Sequence, residues 1–99
     1  MIVALSRFKV ANGMEEAVAE SFRNRPRQVE DAAGFLDLEV LSDRQDPSIF
    51  YLWTRWESET AFRSWHASEA HHASHKGIPK GLKLDASFTQ LVVMEPVCK

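Results

Sequence analysis

Apolar and polar residues alternate weakly through positions 1–10: Ile2, Ala4, Phe8 and Val10 fall on one side, and Val3, Leu5, Arg7 and Lys9 on the other. A period of two is that of a strand. The turn signal "ANG" follows, and the period changes at Met14. Met14, Val18, Phe22, Arg25 and Val29 recur at three- and four-residue steps with charges between them, which predicts an amphipathic helix. It is expected to end near "AAG" with Gly34 as its C-terminal cap, and Pro26 should kink or divide it. Positions 35–41 alternate again, Leu36, Leu38 and Val40 against Asp37 and Glu39, and predict a half-buried strand. "SDRQDPS" is a turn, and "IFYLWTRW" is a strand of aromatic and branched residues. "ESETAFRSW" predicts a second helix with Ser58 as N-cap, although Ala61 holds the place a capping box gives to Glu or Gln. Gly77, Pro79 and Gly81 end the helical zone, and positions 87–94 predict a last strand stopped by Pro96.

The order β-α-β-β-α-β is that of an α+β, ferredoxin-like unit: an antiparallel sheet with helices on one face. One domain over residues 1–99 is expected. "IFYLWTRW" and "FTQLVVME" carry apolar residues on both faces, so a second copy of the chain is expected to cover the open face as a homodimer. Trp56 and Phe62 are expected in the core.

Bulk properties narrow the partners. A formal charge of -2 favours neither nucleic acid nor an anionic membrane. The apolar runs are too short to span a bilayer, and "MIVALSRFKV" lacks the features of a secretory signal. The single cysteine, Cys98, excludes an internal disulfide. A cytoplasmic protein is expected.

All four histidines lie in "SWHASEAHHASHKG". On one straight helix, Ala61, Phe62 and Trp65 would face opposite to Ala67, Ala70 and Ser74, and no single core could receive both sides. A break near Ala67–Ser68 resolves the conflict. Ser68 could cap the second piece, on which His71 and His75 flank a small-residue wall and His72 faces solvent. The break would also let Trp65 and His75 reach one pocket. The imidazoles read as exposed helix residues, as a zinc site at His71 and His75 that lacks the glutamate of H-E-x-x-H, or as the source of one axial ligand to haem iron.

"GFLDLEVL", "YLWTRWESETAFRSW" and "SEAHHASHKG" resemble the antibiotic biosynthesis monooxygenase superfamily of dimeric ferredoxin-like (α/β barrel) proteins over nearly the whole chain. Within it the resemblance is to the small haem-degrading, IsdG-like monooxygenases. Those carry an Asn on strand one, a Trp after A-F, and a His beyond it followed by Lys. The resemblance implies His75 as axial ligand to haem iron and Trp65 as the wall that distorts the porphyrin. His71, Lys76 and Arg7 become haem-binding candidates, Lys76 with Lys80 and Lys83 as partners of the propionates. Ser6 stands where the family has Asn; its hydroxyl has one donor against the amide's two. The implied activity is oxidative haem degradation with release of iron, haem being substrate and cofactor and an electron donor supplying reducing equivalents. Other members oxidise quinols or hydroxylated aromatics without a cofactor; for that chemistry His66, His71, Arg7 and Trp53 are the candidate pocket residues. A non-catalytic dimeric binding module is the third reading.

Overall fold

The fold is that of a computed structural model, which describes residues 1–25, 27–68 and 79–98. Pro26, His71, His72, His75 and Lys76 lie outside the described residues. Strands β1 (Ile2–Lys9), β2 (Phe35–Ser42), β3 (Ile49–Trp56) and β4 (Gln90–Met94) form one antiparallel sheet in the order β2-β3-β1-β4. Helices α1 (Glu15–Arg23) and α2 (Glu59–His66) pack on one face of it.

The cross-strand register settles which residues share that face. Ala4 stands opposite Thr54, Ser6 opposite Leu52 and Leu91, and Phe8 opposite Phe50. Cross-strand partners project to the same side. At one end of the sheet, Ala4, Trp56 and Phe62 of α2 close around Val29. At the other end Val10, Val18 of α1 and Phe50 form a second buried group, with Phe8 stacked on Phe50 at 5.4 Å and Phe22 tilted against both. The Ser6–Leu52 row lies between the two groups.

Helix α1 is shorter than its periodicity predicts. It ends at Arg23, with Asn24 as C-cap, and the chain resumes as a 3-10 turn over Val29–Asp31. Helical geometry is disfavoured for a residue that precedes proline, which is the position of Arg25 before Pro26. Gly34 therefore caps no long helix. It has φ +80°, its carbonyl accepts a hydrogen bond from the Glu57 amide at 2.8 Å, and a Cβ there would stand 2.6 Å from the Ala61 Cβ. Helix α2 begins as expected, the Ser58 hydroxyl accepting from the Ala61 amide at 3.1 Å. It also ends at the expected break: Ala67 is the C-cap, and the Ser68 hydroxyl donates back to the Trp65 carbonyl at 2.6 Å.

Strand β4 starts at Gln90 rather than at Ser87. The Asp85 carboxylate accepts from both the amide and the hydroxyl of Ser87, at 3.0 and 2.6 Å, and this local turn competes with the ladder. The same bonds hold the Asp85 carboxyl below its ordinary range. No described helix is long and apolar enough to cross a membrane.

Candidate functional site

A cavity of about 500 Å³ separates the two core groups, within the size range of sites for small molecules and cofactors. Its floor is the sheet row of Ser6, Leu52 and Thr54; α1 contributes Val18, Ser21 and Phe22, and α2 contributes Phe62, Trp65 and His66. A third wall is irregular: Pro79, Leu82 and Leu84, continued by Thr89, Gln90 and Leu91 at the start of β4. The lining is mostly apolar.

Two hydroxyls stand near each other on the floor, and they differ. Thr54 Oγ1 donates to the Ala4 carbonyl at 3.1 Å. The Ser6 hydroxyl has no hydrogen-bond partner among the described residues. Ser6 is therefore the floor hydroxyl with a donor left for a ligand, whereas Thr54 can only accept. Arg7, Arg25 and His66 border the cavity and no Asp or Glu among the described residues lines it, so it suits an anion better than a cation.

These basic side chains are held in different ways. The Arg25 guanidinium pairs with Glu30 at 3.2 Å, and Arg27 reaches the same carboxylate at 3.4 Å. Arg7 projects from the sheet face opposite the helices, as its partners Tyr51 and Gln90 do. Its Nε donates to the Phe88 carbonyl at 3.2 Å, and its guanidinium lies 4.3 Å from the centre of the Phe88 ring. It thus braces the turn that leads into the cavity wall. His66 is exposed on the last turn of α2, its ring tilted against Phe62 at 5.5 Å. Trp65 is half-buried and packs against the Trp56–Phe62 group.

The structure thus brings Ser6 and Trp65 to one cavity. Trp53, a candidate for cofactor-free chemistry, lies on the other sheet face with Val3, Arg55 and Met94. His71, His75 and Lys76 lie outside the described residues. Three features of the lining are not among the site residues expected from the sequence. Arg25 sat in an otherwise apolar helical stripe, and that mismatch was a usable signal for a pocket charge. Ser21 stands between Glu20 and Phe22 and carries no local signal of its place in the lining. The wall at 79–84 was signalled by the alternation of Leu82 and Leu84, which Gly81 obscured.

Comparison with known proteins follows the same lines. Residues 1–77 match the model of the antibiotic biosynthesis monooxygenase family. The chain belongs to that family. A heme-degrading monooxygenase of Bacillus subtilis, HmoA, is 35% identical over 86 residues, covering 81% of this chain and 78% of that protein. A staphylobilin-producing heme oxygenase of Staphylococcus saprophyticus is 32% identical over 82 residues, covering 81% and 78%. Among solved structures, the heme-degrader MhuD of Mycobacterium tuberculosis, with two hemes bound in its active site, superposes with a TM-score of 0.79 at 25% identity, covering 100% of this chain and 98% of that one. The ferredoxin-like α+β fold and the monooxygenase class expected from the sequence both stand with this antibiotic biosynthesis monooxygenase family.

Proposed function

We propose that the protein is a haem-degrading monooxygenase: it binds haem in the cavity between sheet and helices, opens the porphyrin oxidatively with oxygen and electrons from an external donor, and releases iron. The observation that carries this reading is the meeting of Ser6 and Trp65, far apart in sequence, in one largely apolar cavity without a described acidic lining residue. Such a cavity suits a flat, apolar molecule that carries carboxylates. Relatives at 32–35% identity with haem-degrading names support the same substrate.

Haem, when bound, supplies the iron at which oxygen is activated and is itself the molecule opened. The chain's residues then have separate tasks. His75 would hold the iron as a neutral imidazole. Trp65 forms a bulky wall against the macrocycle. Ser6, with its unpaired hydroxyl, offers a hydrogen bond from the floor. Arg25 favours the propionates electrostatically, with His71 and Lys76 as further contacts, while Arg7 acts from the other sheet face by holding the Phe88 turn. The apolar lining limits water near the reacting centre. A homodimer formed through the open sheet face completes the proposal; the cross-strand pairs Leu5–Trp53 and Leu5–Val92 on that face supply its apolar surface.

Titration of haemin into purified protein tests this. A saturable Soret shift is expected, and His75→Ala should abolish or alter it. No saturable shift in the wild type, or the same shift in both proteins, would overturn the assignment. Under reductant and oxygen the Soret band should decay with appearance of an open tetrapyrrole. Ser6→Asn, which adds a donor at the floor, should speed that decay by on the order of tenfold. Oxygen uptake with a quinol in metal- and haem-free protein would instead favour cofactor-free chemistry.

A further inference from the structure

We propose that Asn12 is a positioning residue that clamps the irregular wall of the cavity and so controls how long a ligand stays. The wall segment 79–84 is joined to the end of β1 by a short ladder. Val10 bridges Leu84, the Ala11 amide donates to the Lys83 carbonyl at 2.8 Å, and the Asp85 amide donates to the Lys9 carbonyl at 2.8 Å. That backbone pairing stops at Lys83. The Asn12 side chain continues it. Its Oδ1 accepts from the Lys83 amide at 3.3 Å, and its Nδ2 donates to the Gly81 carbonyl at 2.7 Å. The same Nδ2 contacts the Met14 sulfur at 3.4 Å, which ties the amide to the start of α1.

An amide side chain suits this place because it offers a donor and an acceptor at once and mimics one more backbone unit. Beyond Lys83 the wall has few other restraints among the described residues. Gly81 has φ +81° and nothing near the position of a Cβ, and Leu82 donates only to the neighbouring Pro79 carbonyl, at 3.3 Å. Yet Pro79, Leu82 and Leu84 all line the cavity. A shift of this segment would change the shape of the site without touching its floor. Asn12 itself is exposed and outside the lining, so it acts through the wall and not on the ligand.

The part of this inference that concerns haem rests on the proposed function; the clamp does not. Amide hydrogen exchange on ligand-free wild type, Asn12→Ala and Asn12→Asp tests the clamp directly. Loss of bonds of this kind should speed exchange at Lys83 and Asp85 by roughly two- to tenfold in Asn12→Ala, while the paired amides of β1 and β3 keep their protection. Asn12→Asp retains the acceptor and should restore Lys83 more than the Gly81 side. Release of haemin to a scavenging globin, and release of anilinonaphthalene sulfonate as a second apolar anion, should accelerate in Asn12→Ala by a similar factor. Unchanged protection at Lys83, acceleration spread evenly over the sheet, or unchanged release of both probes would overturn the proposal. Failure of the wild type to bind haemin saturably would remove the haem reading alone, and the dye would still decide the clamp.

Discussion

Replacing Trp56 by alanine is expected to lower folding stability by about 3–5 kcal/mol, a large share of the roughly 5–15 kcal/mol available to a domain. The indole is completely buried. Phe35 and Phe62 stand edge-on to it, at 5.5 and 5.9 Å between ring centres. Truncation removes these contacts and leaves a void beside an existing cavity, whose walls cannot collapse without closing the site. Trp56→Phe should cost less than half as much. The indole Nε1 has no hydrogen-bond partner among the described residues, so the phenyl ring forfeits area but no hydrogen bond. Urea unfolding of the two variants checks the ordering; equal losses would mean that ring burial is not what the residue contributes.

Gly34→Ala should be nearly as severe, at about 2–5 kcal/mol from two additive causes. An alanine at φ +80° costs about 1–2 kcal/mol in backbone strain. A new methyl group 2.6 Å from the Ala61 Cβ forces β2 and α2 apart, an overpacking cost of about 1–3 kcal/mol. The steric part can be separated from the backbone part. Adding Ala61→Gly to Gly34→Ala should recover more stability than the roughly 1 kcal/mol that a helical glycine loses alone, giving a favourable coupling energy. Strict additivity in chemical denaturation would show that the contact does not matter. Because Ala61 adjoins Phe62, the single variant should also disturb the α2 wall of the cavity.

Strands β1 and β2 were legible because alternation is a local property of the chain, and β3 because its run of aromatic and branched residues is local too. The break near Ala67–Ser68 was legible too, since no single face could bury both halves of the histidine-rich segment. The end of α1 was not. Its apolar spacing runs on through Val29, while helical geometry is disfavoured at Arg25 before Pro26. Ser87 resembled a strand residue until the Asp85 turn captured it. At the site, Ser6 and Trp65 were identified through family resemblance, and their meeting in one cavity emerges only in three dimensions. Asn12 and Arg7 were harder still. Their partners lie 69 and 81 residues away, so no window of neighbouring residues contains the reason for either.

Strand β1 serves two surfaces on successive residues. Leu5 and Arg7 belong to the open sheet face and Ser6 to the cavity floor. The strand is locked to neighbours on both sides, over eight pairs with β3 and five with β4. Inserting or deleting one residue would turn every side chain to the other face, lining the floor with Leu5 or Arg7. This pocket can therefore diversify by exchanging residues in place, but not by changing the length of the strand beneath it.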